Sequence, residues 1–173
     1  EWLAARQLDA RPRLLEQLQV DDGWQLAVET VLGDDLQAVC VDAIGSLGAT
    51  LGQLEQGRLA LLEVAAEAPV AAEFLASKVR SGGRAGSLLA GVRVAPDLAA
   101  ALAQRSGLAA HESVITPEGV WLGPNWLRVA RPAGEQGGAI RRQQELEALV
   151  EAVGLQQQAE EALAVALQSC QHT

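Results

Sequence analysis

The sequence predicts an α/β fold: two small mixed sheet-and-helix lobes with flanking antiparallel coiled-coil helices. Three observations carry this. Residues 36–64 run strand, helix, strand, the rhythm of an α/β unit. Residues 113–131 (SVITPEGVWLGPNWLRVAR) read as three short β runs. They are broken by Pro117-Glu118-Gly119 and Gly123-Pro124-Asn125, both good turn chemistry. From about Ala139 the chain turns to Gln, Glu, Ala and Leu, with Gly154 as almost its only breaker.

Taken in order, residues 1–10 (EWLAARQLDA) read as a helix closed by Pro12, because the residue before proline is pushed out of the α region. Leu14–Val20 leads into a short strand. Asp21–Gly33 is a helix, with Asp22 as its cap and Gln25 as the capping-box partner. Trp24, Ala27, Val28, Val31 and Leu32 share one face, and Gly33 supplies the left-handed end. Leu36–Val41 is apolar enough for a buried strand. A helix over about 43–56 follows, lined by Leu47, Leu51 and Leu54, with Gly48 and Gly52 beside them. Arg58–Val64 is a strand candidate after Gly57. Residues 70–78 form a possible helix before the glycine-rich SGGRAGS at 81–87, the best internal linker. Val92–Val94 is a short strand, and Pro96 opens a helix that Gly107 stops. The expected organisation is therefore a first lobe over 12–66, an inter-lobe helix and linker over 67–91, a second lobe over 92–138, and terminal helices over 1–11 and 139–173. Leu146, Leu149, Val153, Gln156, Glu160, Leu163, Leu167 and Cys170 keep a heptad register with two polar lapses. A helix of ~30 residues reaches ~45 Å, which either packs as an ordinary C-terminal helix or needs a coiled-coil partner. The helix at 1–10 is a candidate stub of that partner.

Composition narrows the class. Hydrophobic residues make up 49% and charged residues 20% of the 173, a globular balance. The longest internal uncharged run, Ala43–Leu54, is too short and too polar for the ~20 residues of a membrane span. No signal peptide pattern opens the chain, and with Glu1 first and no methionine it reads as a piece of a longer protein. Two cysteines make no disulfide scaffold, and with only His111 and His172 beside them no metal-ligand spacing arises. A reduced, cytoplasmic setting fits. The net charge of −9 argues against nonspecific nucleic-acid binding by the whole surface, yet residues 76–142 carry nine Lys/Arg against four Asp/Glu.

Catalytic patterns are missing. SGGRAGS lacks the phosphate-loop lysine, and no G-x-S-x-G occurs. The pairs Asp21/Asp22 and Asp34/Asp35 read as caps and solvated faces, and His111 as a loop residue without triad partners.

The piece VDDGWQLAVETVLGDDLQAVCVD (20–42) resembles the opening of the hinge domain of bacterial SMC (condensin-type) proteins, the chromosome-condensing ATPases. Val20, Trp24, Ala27, Val28, Glu29, Leu32, Gly33 and Leu36 follow the family pattern. Gln56–Leu62 is similar to the family's G-R-A-T-F-L segment, and Val114–Val120 to its V-T-x-x-G-x-(V/I) hairpin. The likeness covers about 12–131, in the family's order. It departs where Leu122-Gly123-Pro124-Asn125-Trp126 stands in place of a glycine-rich stretch; Gly137-Gly138 comes later.

The resemblance implies a non-catalytic dimerisation module for chromosome condensation and segregation. It implies no cofactor in this segment, ATP belonging to head domains elsewhere. The implied partners are a second copy and, weakly and without sequence preference, DNA. Kleisin-type subunits would bind elsewhere on the parent, and the setting would be the cytoplasm, at the nucleoid. Terminal helices 1–11 and 139–173 would be the end of the ascending and the start of the descending arm. Trp121 and Trp126 are then either core aromatics or part of a strand edge facing the other subunit. In the second case Gly119, Trp121, Gly123 and Trp126 of one chain meet Leu59 and Leu61 of the other across a two-fold axis. Lys78, Arg80, Arg84, Arg128, Arg131, Arg141 and Arg142 are either a solvated face or phosphate contacts at the coil junction. Competing classes are a small α/β enzyme with an unrecognised site and a generic coiled-coil adaptor.

Overall fold

The computed structural model describes residues 3, 7–54, 56–63, 65, 69–80, 84–131 and 138–171, without the side chains of 49–51 and 165–171. Its largest sheet comes from the segment with the strongest turn chemistry. Strands β6 (Ser113–Ile115), β7 (Val120–Leu122) and β8 (Leu127–Val129) form an antiparallel meander, and β5 (Val92–Val94) joins β6 in parallel. The order is β5-β6-β7-β8. Gly119 makes the first turn at φ 78°, where a Cβ would stand 2.8 Å from the Ala130 carbonyl oxygen. Helix α3 (Leu98–Arg105) is the β5–β6 crossover. Its cap is Asp97, which accepts the Ala100 N–H at 2.8 Å, so the helix starts two residues after Pro96.

Two small ribbons complete the sheets. Strand β1 (Gln19–Val20) pairs antiparallel with β4 (Val79–Arg80), and β2 (Val39–Val41) pairs parallel with β3 (Leu61–Glu63). Helix α1 (Gln25–Leu32) buries Ala27, Val28 and Leu32 as the 3.6-residue spacing predicts. Its cap differs. Asp21-Asp22-Gly23 is spent on a turn, with Gly23 at φ 84° and the Trp24 N–H donating to the Asp21 carbonyl. Trp24 takes the cap position, and Gln25 Oε1 accepts from the Gly23 N–H instead.

Three expected helices take other forms. Gly45–Gln53 is a 3-10 helix: glycines at 45, 48 and 52 leave too little side-chain surface to hold an α-helix. Only Leu75–Lys78 of the 70–78 segment coils, again as 3-10, because Phe74 is drawn into a bridge with Arg93 on β5. Residues 7–10 are turns, Gln7 having φ 56°, because Leu8 folds back onto Val39 and Val41; residues 1, 2 and 4–6 of that expected helix lie outside the described residues. The linker's Ser81-Gly82-Gly83 is also outside them, but Gly86–Leu89 forms the one-turn α2.

The main core draws from every part. Leu14, Leu18, Val20, Val28 and Leu36 meet Leu75, Ala85 and Leu89 of the inter-lobe segment, Val92 and Ile115 of the large sheet, and Ile140. Ile140 belongs to α4 (Ala139–Gln171), whose 33 residues run about 50 Å. Past its first turns α4 leaves the globule, with Leu146, Leu149, Val150, Val153 and Leu163 exposed.

Candidate functional site

Strand β7 is paired on both sides, so its backbone is closed; the open flank of the sheet is β8. This corrects the expectation that the Trp121 strand is itself a free edge. A meander ends on its last strand, and that strand is Leu127–Val129. All three β8 residues are exposed, Leu127 by 52% and Val129 by 51%. Among the described residues β3 is bonded only to β2 and is a further open edge, as are β1 and β4, which pair only with each other. Leu61 lies on β3, half-buried, and Leu59 packs beside it against Leu8, Val39 and Val41. Unpaired strand edges are templates for strand addition, and β8 is the one that carries two exposed large apolar side chains, Leu127 and Val129.

Behind β8 sits an aromatic cluster. Trp121 Nε1 donates to Ser113 Oγ on β6 at 2.9 Å, which fixes the ring. Trp126 meets it edge-on, with centroids 5.1 Å apart and planes at 88°. The Gly123 N–H donates to the Trp126 carbonyl at 3.0 Å, and a Cβ on Gly123 would fall on the Trp126 indole. Arg128 covers both rings, at 5.4 and 5.1 Å. Gly119 lies at the start of β7, against Leu26 and the Ala130 carbonyl, whereas Trp121, Gly123 and Trp126 are brought together with Arg128 at the opposite, β7–β8 end of the large sheet. Next to them, Leu102 and Arg105 of α3 and Leu122, Asn125, Trp126 and Leu127 line a groove of about 170 Å³. Leu102 in this lining is exposed, as is Leu98 one turn earlier on α3. Sequence reasoning missed Leu98, Leu102, Leu127 and Val129; the signal was the apolar alternation of Leu127 and Val129 in the last run of the meander.

The seven basic candidates fall in several places. Lys78 ends the 75–78 turn and Arg80 lies on β4, 4.0 Å from Asp21. Arg84 is half-buried, its Nε buried without a hydrogen-bond partner among the described residues. Arg128 stacks on tryptophan, while Arg131 Nη1 donates to the Glu118 carbonyl. Arg141 pairs with Glu145 at 2.8 Å one turn along α4, beside the exposed Arg142.

A second charged network is structural. Arg93 Nη2 meets Glu112 at 2.9 Å, Nη1 meets Glu73 at 3.4 Å, and the guanidinium stands 5.4 Å over Phe74. The Ala109 N–H, and then Arg93, hold the Glu112 carboxyl below its ordinary range. Burial pushes the Cys40 thiol up, against a smaller opposing pull from Arg84. Among the described residues no cluster of His, Cys, Asp and Glu could hold a metal, and no helix is long and apolar enough to cross a membrane.

The profile of SMC proteins' flexible hinge domain matches residues 8–105. Chromosome partition protein Smc of Coxiella burnetii is 42% identical over 153 residues, covering 86% of this chain and 13% of that protein. The Smc of Xanthomonas oryzae is 39% identical over 149 residues, again 86% and 13%. The chain thus spans about an eighth of the length of these relatives. Among solved structures, an asymmetric dimer of the Geobacillus stearothermophilus SMC hinge domain superposes with a TM-score of 0.62 at 23% identity, over 91% of this chain and 73% of that one. The Pyrococcus furiosus Smc hinge domain with an extended coiled coil gives 0.55 at 17%, over 95% and 71%.

Proposed function

This chain belongs to the family of SMC flexible hinge domains, and from that premise we propose that it joins two copies of its parent protein by pairing β8 of each with β3 of the other. A hinge domain is a joining module without catalysis. The observation that carries the reading is the apolar character of two of the open edges. One carries exposed Leu127 and Val129 with Leu102 beside Leu127, the other Leu61 with Leu59 beside it. Trp121, Gly123 and Trp126 shape one end of the sheet behind β8, and Gly119 the turn at its other end. The G. stearothermophilus relative of the same fold is a dimer.

In this reading α4 starts a coiled-coil arm: Leu146, Leu149, Val153 and Leu163 lie exposed in heptad register. The segment needs no cofactor; ATP is handled by heads elsewhere on the parent, kleisin-type subunits also bind elsewhere, and the complex works at the nucleoid in the cytoplasm.

Mass measurement in solution at micromolar concentration tests the dimer, together with a disulfide between Leu61→Cys on one chain and Leu127→Cys on the other. A dimer that crosslinks supports the reading; a monomer overturns it.

Weak DNA contact through Lys78, Arg80, Arg84, Arg131, Arg141 and Arg142 completes the proposal. With ~2–4 phosphates neutralised, the logarithm of affinity falls against that of salt with a slope of about −2 to −4. Arg141→Glu with Arg142→Glu removes a low-salt gel shift; an unchanged shift excludes both. Arg128, engaged with two indoles, is the least available of the seven.

A further inference from the structure

The root of α4 is held at two points, and Gly138 just before it is crowded by Glu29. Ile140 is buried in the core. Gln144 Nε2 donates to the Val20 carbonyl at the end of β1, at 3.0 Å. The Glu29 carboxylate lies against Gly138, where a Cβ would collide with it. One turn further on the helix stands away from the globule, leaving an open cleft of about 440 Å³ between α4 and the β1–β4 ribbon. Asp21 and Asp22 stand on one wall, Glu147 and Glu151 on the other. Among the described residues that line it, the one cation is Arg80, 4.0 Å from Asp21.

We propose that this cleft is a charge-gated joint, in which α4 tilts about its Gln144 anchor, pushed outward by the facing carboxylates and held inward by Arg80. Like charges on the two walls repel, and Glu147 and Glu151, four residues apart on one helix, repel each other as well. One guanidinium leaves the cleft lining three negative charges in excess. At physiological salt the screening length is ~8 Å, and it is several times longer at low salt, so the outward push is set by ionic strength. The anchors before residue 145 make the root stiff, and the lever beyond is free to swing. The inference stands on the cleft alone and holds whether the chain is a monomer or a dimer.

An intrachain distance measures it. Spin labels at Gln37→Cys and Gln158→Cys, both exposed positions, are placed in a Cys170→Ser background and diluted with unlabelled chain, so that contacts between copies do not enter. The stretch from Gln144 to Gln158 is a lever of ~20 Å, so a tilt of about 10° moves the label by ~4 Å. The wild-type distance is expected to shift as salt falls from about 0.5 M to about 0.02 M. Arg80→Gln exaggerates the low-salt shift and rejoins the wild type at high salt. Glu147→Gln with Glu151→Gln flattens the salt response, and Asp21→Asn with Asp22→Asn does the same from the other wall. Matching thermal melts show that each variant is folded. Distances that ignore salt in every variant, or an Arg80→Gln chain indistinguishable from wild type at low salt, overturn the proposal.

Discussion

Arg128 lies directly across the β7–β8 ladder from Trp121, with its guanidinium 5.4 Å from that indole and 5.1 Å from Trp126. A residue that reads in the sequence as either a solvated cation or a phosphate contact is in the fold part of the aromatic cluster behind the open edge. An exposed cation–π contact contributes about 0.5–1 kcal/mol. Arg128→Ala should therefore lower the unfolding free energy in urea by about 0.5–1 kcal/mol, and change DNA gel shifts less than Arg141→Glu does.

The edge strand itself should be far more sensitive. Leu127→Glu with Val129→Glu places two charges where β8 would be covered. Losses of 2 kcal/mol or more are usual when central apolar contacts are removed from an interface. The variant should sediment as a folded monomer with an unchanged far-ultraviolet spectrum.

At Gly138 the space of a Cβ is taken by the far end of the flexible Glu29 side chain, its carboxylate. Gly138→Ala should be accommodated by a shift of that carboxylate and cost less than about 1 kcal/mol in urea unfolding. Adding Glu29→Ala should leave no remaining difference between glycine and alanine at this position.

Glu112 sets a pH dependence. Its carboxyl is held below its ordinary value of 4.5, chiefly by the Ala109 N–H and then by Arg93, so the ionised form favours the folded state. That contribution is complete above about 4.5 and is lost as pH falls through the folded value. Urea midpoints followed from neutral pH into the acid range should decline less steeply for Glu112→Gln than for wild type.

Cys40 should be silent to thiol reagents while the chain is folded. It is buried on β2 and its thiol is pushed above the ordinary value of 9.0. In a Cys170→Ser background, labelling near pH 8 should be slower by roughly ten-fold or more than in urea.

Local chemistry made some elements legible. Helix α1 showed its apolar face, and the 113–131 meander announced its breaks with Pro117-Glu118-Gly119 and Gly123-Pro124-Asn125. What stayed hidden depended on partners distant in sequence. Asp22 looked like a cap because nothing local reveals that the Asp21 carbonyl is taken by Trp24. The helix expected at 1–10 lacks any mark that Leu8 is drawn onto β2. Segment 67–91 reads as a possible helix over 70–78 and a glycine-rich linker over 81–87 between two lobes, yet Leu75 and Leu89, one on each side of that linker, are wholly buried in the main core. Of the candidate site, the tryptophans and glycines were readable as types; which strand ends the sheet is a matter of pairing order, and only the fold supplies it.

Ile140 is seated among Leu14, Val28, Leu75 and Ile115, side chains from four separate stretches of the chain. A pull along the long helix therefore arrives at the middle of the molecule, not at a slack tether on its skin. Tension on the rod becomes strain shared by the entire body, and the rod cannot be torn loose without melting what it is attached to.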